Sequence, residues 1–214
     1  VSNTESDSFI NEVSEEVRKD RLFAYWKKYG PFAIGGIVLI LAATAWFNYK
    51  RDAELEAARA TGGKFVDIAQ GEPTAEAYAD LAAELPADSA VIARLHAASA
   101  LEADDPAAAT AAYKEIADDL EADTIYRNAA RIAAARIGEG LDLDTRLSLL
   151  SPATEPGAPF RLLALETRGV LLIVSGDAEA GRADLQAVLD DPLASRGSIQ
   201  RATELMLATG GTIE

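Results

Sequence analysis

Residues 165–192 read LETRGVLLIVSGDAEAGRADLQAVLDDP, and the order Leu165, Gly169, Leu172, Gly176-Asp177, Gly181, Leu185, Val188, Pro192 within them decides the fold class. Large apolar residues recur every three or four positions on both sides of a Gly-Asp pair, which is the period of two helices and not of a strand. Gly169 and Gly181 are small residues at the positions where two paired helices approach, and Gly176-Asp177 supplies the turn between them. A helical hairpin of this length cannot bury its apolar face alone, so it predicts further hairpins stacked on either side.

The neighbours are present in fainter form. Ala93, Ala97, Ala100, Asp104-Asp105, Ala109, Tyr113 and Ile116 repeat the same skeleton, and corresponding positions, such as Ala97 and Gly169, are related by a constant offset. That offset is close to two periods of about 34 with a short insertion. One degenerate unit is therefore expected between them, with helices over 123–137 and 144–150. A further hairpin over 52–69 and 74–85 comes before, and a capping helix over 195–208 comes after. Turn chemistry at Gly71-Glu72-Pro73, Pro86-Ala87-Asp88, Gly138-Glu139-Gly140, 152–159 and Asp191-Pro192 separates these segments. Asp88, Asp105, Asp123, Asp144 and Asp177 precede helical segments and are expected as N-caps. With almost no strand signal, the fold class is all-α.

Upstream the chain changes character. Residues 29–49 carry no charge, and 32–47 are an almost unbroken apolar run. At about 1.5 Å rise per residue, some 20 residues cross a bilayer core of about 30 Å. Trp26, Lys27 and Lys28 precede the run and Trp46, Tyr49, Lys50 and Arg51 follow it, the aromatic and basic groups that a headgroup zone favours. Ala43, Thr44 and Ala45 imitate a signal-peptidase site. The long segment from Val1 to Pro31 holds six acids, however, and the run continues past the triplet through Trp46 and Phe47, so a retained signal anchor is expected. Lys19, Arg21, Lys27 and Lys28 outnumber Lys50, Arg51 and Arg59 on the near flanks of the run, which orients the N-terminus toward the cytoplasm. Gly30-Pro31 is expected to break or bend the chain at the membrane entrance. Before it, Phe9, Ile10, Val13 and Val17 form one stripe of an amphipathic helix starting near Asp7, a face available to the membrane surface or a partner.

The 214 residues hold 35 acidic and 20 basic side chains, a net charge of -15. That charge is unevenly placed: residues 1–51 sum to +1 and residues 52–214 to -16. So acidic a domain would repel nucleic acid, and it is held off anionic headgroups as well. The absence of cysteine excludes disulfides, thiol catalysis and thiolate metal sites. With 15 glycines, 8 prolines and 7% aromatics, the composition is too ordinary for collagen-like repetition or wholesale disorder.

Catalytic chemistry finds little support. His96 is the only histidine and falls inside an expected repeat helix, where it reads as a packed side chain. Asp104-Asp105, Asp118-Asp119-Glu121 and Asp190-Asp191 lack the Asp/Asn-Gly-Glu alternation of a calcium loop. Gly62-Gly63-Lys64 lacks the spaced glycine and the following Ser or Thr of a phosphate loop, and reads as a flexible joint between anchor and repeats. No enzyme, cofactor, metal or small-molecule substrate is expected. The concave face of the array over about 88–192 is expected to bind an extended or helical protein segment, with acidic rims steering basic partners.

The tail DSFINEVSEEVRKDRL at 7–22 and WKKYG at 26–30, one span and then degenerate repeats resemble the bacterial family of tetratricopeptide-like membrane proteins that are ancillary subunits of the SecYEG translocon. The Ala-rich acidic style is similar to the alphaproteobacterial branch. The resemblance covers nearly the whole chain. It implies a cytoplasmic tail at 1–28, a transmembrane anchor at 29–51 and a periplasmic tetratricopeptide-like domain at 52–214 in the inner membrane. It further implies a scaffold meeting exported polypeptides or periplasmic chaperones near the translocon. A structural accessory subunit of another inner-membrane complex, respiratory or photosynthetic, has the same order of parts. Ala97, Ala109, Tyr113, Leu165, Gly169, Leu172, Gly176, Gly181 and Leu185 match the repeat-packing positions.

Overall fold

A computed structural model describes the backbone of residues 3–210, together with the side chains of Lys27 and residues 39–210. Among the described residues there are nine helices and no strand: α1 (Asn3–Gln70), α2 (Ala75–Glu84), α3 (Ala87–Leu101), α4 (Pro106–Asp118), α5 (Thr124–Ile137), α6 (Leu143–Thr154), α7 (Arg161–Val174), α8 (Ala178–Leu189) and α9 (Arg196–Ala208). Two compact units divide the chain, Val1–Ala60 and Thr61–Glu214.

In the first unit, helix begins at Asn3 and the Gly30-Pro31 break does not occur. A single proline deletes one backbone donor, which makes it a defect in a helix without ending it. The tail stripe of Phe9, Ile10, Val13 and Val17, and the side chains of Trp26 and Lys28, lie outside the described residues. From Leu39 onward the described side chains are exposed, including the consecutive Leu39, Ile40 and Leu41 and then Trp46, Phe47 and Tyr49. Among the described residues no helical stretch is long and apolar enough to cross a membrane. Positions 29–35, 37 and 38 of the expected span have side chains outside that description.

Residues 61–70, the last turns of α1, belong to the second unit. The joint expected at Gly62-Gly63 is helix instead. Each glycine costs about 1 kcal/mol relative to alanine in a helix. Thr61, Phe65 and Ile68, at i, i+4 and i+7, are half-buried on one face, and that packing outweighs the propensity. Phe65 lies 6.4 Å from the Tyr78 ring and 5.6 Å from the ring of His96, which stacks on Tyr78 at 5.0 Å.

Capping sets most of the other boundaries. Asp105, Asp123 and Asp177 accept from the backbone N–H groups of Ala108, Ile125 and Ala180, and Thr74 and Ser195 cap α2 and α9 the same way. Two expected caps are displaced. Pro86 precedes α3, so Asp88 falls in its first turn, and Asp142 takes the cap of α6 by accepting from Thr145 N–H, leaving Asp144 in the first turn. Helix α6 also runs past Pro152 to Thr154. The donor that Pro152 lacks would have served Ser148, which is exposed, so water can satisfy that carbonyl.

Three apolar clusters make up the core. The first joins Val91 and Ala98 of α3, Tyr113 and Ile116 of α4, and Ala130 and Ala134 of α5. The second uses Ile132 and Ala135 on another face of α5, with Leu150 and Ala153 of α6 and Ala164 and Leu171 of α7. The third joins Leu165, Leu185, Val188, Ala202 and Met206 across α7, α8 and α9. Helices α5 and α7 thus each serve the cluster before and the one after, which is how a stacked array buries what a single hairpin cannot. Helices two apart pack together in the series α3, α5, α7, α9. Helices α4, α6 and α8 do not pack as closely on one another, so the array bends toward the first series.

Candidate functional site

The inner series of helices presents a shallow groove of about 290 Å³ lined by Arg136, Arg146, Leu163, Glu166, Thr167, Val170, Leu171 and Leu205. On α7, Leu163, Thr167, Val170 and Val174 follow at i, i+4, i+7 and i+11, a single stripe. Opposite that stripe, Leu165 and Gly169 are buried, whereas Leu163 and Val174 are exposed, so the side of the helix toward the groove is only partly covered.

Ion pairs frame the floor of this groove. Glu166 is 6% exposed and accepts from Arg201 Nε and Nη2 at 2.9 and 3.2 Å, which fastens α9 to α7. Arg146 donates from Nε and Nη2 to the carbonyls of Ala135 and Arg136 at 2.7 and 3.2 Å, wrapping the left-handed Gly138 that ends α5. Arg136 reaches Glu102 at 3.3 Å, and Glu102 also accepts from the Tyr113 hydroxyl at 2.7 Å. Burial and that carboxylate push the Tyr113 phenol up to about 12. Behind the groove, Arg168 Nε and Nη2 bond both oxygens of Asp184 at 2.7 Å, and its Nη1 reaches Thr154 at 3.0 Å, tying α6, α7 and α8. The hydrogen bonds it donates to Asp184 hold the Arg168 guanidinium above its ordinary range.

A second surface lies where α5, α7 and α9 begin. The α4–α5 loop exposes Leu120 at 83%, the α6–α7 loop Phe160 at 46% and the α8–α9 loop Leu193 at 87%. Two bonds fix these loops to one another or to the helix behind: Asn128 Nδ2 donates to the Pro159 carbonyl at 3.2 Å, and Arg161 pairs with Asp191 at 2.9 Å. Asp119 and Asp191, related by the same offset as Ala97 and Gly169, make the same turn. Each accepts from the backbone N–H two positions on, Glu121 or Leu193, and each is held by an arginine, Arg94 or Arg161. Phe160 has φ 61°, left-handed backbone in a bulky residue, and a hollow of about 580 Å³ separates its loop from Leu193. Leu163 lines both this hollow and the groove.

The charge is segregated accordingly. Helix α5 carries Arg127, Arg131 and Arg136 and no acid. Residues 118–123, 155–160 and 190–195 hold seven carboxylates and no base.

The residues singled out from the sequence fall as follows. Ala109, Tyr113, Leu165, Gly169, Gly181 and Leu185 are buried, Ala97 and Leu172 are half-buried beside fully buried Ala98 and buried Leu171, and Gly176 is exposed at φ 101° in the α7–α8 turn. Lys27, Trp46, Tyr49, Lys50 and Arg51 are exposed. His96 is exposed on one side and stacked on the other. Phe160, Leu163, Val170, Leu193 and Leu205 were not indicated by the sequence. The recurrence of DDLEAD at 118–123 as DDPLAS at 190–195 is a signal for Leu193 alone.

A family model described as a tetratricopeptide repeat-like domain matches residues 24–208. Comparison with curated proteins gives no match, and comparison with solved structures gives none.

Proposed function

Because the chain belongs to the family of tetratricopeptide repeat-like domains, we propose that it is a membrane-anchored scaffold for protein–protein interaction in which the α5, α7 and α9 groove receives a segment of the partner. The observation that carries this reading is the stripe of Leu163, Thr167, Val170 and Val174, exposed at its two ends and half-buried between them, on a helix whose other face is already buried. A packed helix leaves a second apolar face open where something else is to cover it.

The anchor at 29–51, with the tail at 1–28 in the cytoplasm and the domain at 52–214 in the periplasm of a bacterial inner membrane, is part of the proposal. Support comes from Leu39, Ile40 and Leu41, consecutive and exposed, which spread apolar surface over more than half of the helix circumference. Thr44 turns its hydroxyl back to the Ile40 carbonyl at 2.7 Å, leaving no free polar group there for lipid to meet. The partners proposed are the export translocon and the exported chains or periplasmic chaperones that gather at it.

Photocrosslinkers placed at Thr167 and Val174 in intact inner membranes test this reading. Adducts with exported polypeptides, chaperones or translocon subunits are expected. Adducts confined to residues 7–50 and falling on one respiratory or photosynthetic complex would instead make the chain a structural subunit of that complex.

A further inference from the structure

We propose that the edge formed by the α4–α5, α6–α7 and α8–α9 loops is a docking surface for a basic amphipathic helix of a partner protein. It rests on the proposed function in taking the occupant to be a protein segment and, for its test, the chain to be membrane-anchored. Both the place and the chemistry come from the edge itself.

An exposed leucine is ordinary by itself. Here Leu120, Phe160 and Leu193 are exposed in three successive loops, at the one end of the array where α5, α7 and α9 all begin. The turns at the opposite ends, 102–105, 138–142 and 175–177, expose no large apolar side chain, and the exposed ones at that end, Val174 and Leu207, stand in the last turns of α7 and α9. The knobs are also fixed in place. The Asn128 bond to Pro159 and the Arg161–Asp191 pair hold the middle loop at both sides, so little ordering remains to be done on binding. Phe160 stands in backbone that a bulky side chain rarely adopts, a kind of strain that concentrates at functional surfaces.

Charge selects the occupant. Among the described residues, Asp118, Glu121, Asp123, Glu155 and Asp190 have no basic side chain within 4 Å, and only Asp119 and Asp191 of this edge are paired. Arg196 at the start of α9 is the exposed base nearest in sequence. Such an edge repels nucleic acid and anionic lipid alike and attracts lysine and arginine. It offers no strand edge for an extended peptide to pair with, which leaves a helix as the form that satisfies its own backbone. Neighbouring packed helices lie about 8–10 Å apart. Three loops then span about 20 Å, the length of roughly 14 helical residues with apolar positions about seven apart.

The test uses the full chain in phosphatidylcholine nanodiscs, with empty discs as reference. The probe is a fluorescent amphipathic peptide of about four helical turns, with leucines on one face and lysines on the rest. Binding followed by anisotropy is expected for this peptide, to weaken with added salt, and to be absent for the same peptide with glutamates in place of lysines. The double variant L120A/L193A, whose side chains are too exposed to matter for folding, is expected to bind about tenfold more weakly, while Thr167→Glu in the groove binds as before. No binding, equal binding of the glutamate peptide, or indifference to L120A/L193A would overturn the edge. Loss on Thr167→Glu alone would also overturn it while leaving the scaffold reading standing with the groove as its site.

Discussion

Gly169 and Gly181 each occupy the space in which the other's side chain would begin. A Cβ on Gly169 would lie 2.9 Å from the Gly181 carbonyl oxygen, and one on Gly181 would lie 2.5 Å from the Gly169 oxygen and 2.6 Å from Ile173 Cγ1. Helices α7 and α8 therefore touch backbone to backbone, and their separation is set by the absence of two methyl groups. Since backbone cannot move aside as a flexible side chain can, Gly181→Ala and Gly169→Ala are each expected to destabilise the domain by about 1–3 kcal/mol, as overpacking does. Gly181→Ala should be the worse. Gly62 and Gly63 provide the control, because a Cβ at either meets nothing within 4 Å. In the helix of α1, Gly62→Ala and Gly63→Ala should each stabilise by up to about 1 kcal/mol. Thermal melts followed by circular dichroism check both signs, and a Gly181→Ala protein melting with the wild type would disprove the close approach.

The Arg168–Asp184 pair ties three helices with three hydrogen bonds, and Asp184 is only 8% exposed. Removing one partner strands the other charge, so Asp184→Ala is expected to cost about 3 kcal/mol. Adding Arg168→Ala to that variant should cost less than Arg168→Ala costs alone, because the stranded guanidinium is then gone. Urea denaturation of the single and double variants measures this coupling. Lys64→Ala, which breaks a pair between exposed side chains, should leave the midpoint where it is.

Tyr113 makes stability depend on alkaline pH. Its hydroxyl donates to Glu102 and its phenol is raised from 10.0 to about 12, first by burial and then by that bond. The folded state keeps a proton that the unfolded state loses at 10. The contribution is thus whole below pH 10 and is lost as pH rises from 10 to about 12. One of the six tyrosines should titrate late in ultraviolet absorbance, and Tyr113→Phe should abolish that late component. At neutral pH the same variant should cost about 2 kcal/mol, the worth of a hydrogen bond to a charged acceptor.

Helix boundaries were legible wherever a loop carried its own chemistry. The Gly176-Asp177 turn and the caps at Asp105 and Asp123 are written in residues that have few other uses. Where two acids compete within three positions, sequence alone does not choose. Asp142 and Asp144 both stand at the start of the helical segment, and Asp142 wins because its carboxylate reaches Thr145 N–H at 2.8 Å. Its hydrogen bonds to Thr145 also hold the Asp142 carboxyl below its ordinary range. Asp142→Ala should accordingly lower the melting temperature and Asp144→Ala should not. The groove and the loop edge were harder to read for a different reason. Leu163, Leu165 and Leu171 look alike in the sequence, and which of them is covered depends on helices that lie far off along the chain. Gly62-Gly63 forms no joint because the packing of Phe65 on Tyr78 and His96 outweighs the local propensity of two glycines.

Phe160 offers the sharpest test of backbone against side chain. It is the only non-glycine residue with positive φ among those described, and an L-residue in that region is strained by about 1–2 kcal/mol. Phe160→Ala removes the ring but keeps Cβ, so the strain stays. Phe160→Gly removes both. Glycine should therefore be more stable than alanine at 160 by about 1 kcal/mol, the reverse of the order predicted at 62 and 63, where glycine is the poorer residue by the same amount. Measuring Gly and Ala at the three positions in one background cancels differences in the unfolded chain, since both residues enter each comparison. If alanine were the more stable residue at 160 as well, the loop would not hold a left-handed residue there, and Phe160 would owe its exposure to the sequence of the loop and not to its backbone.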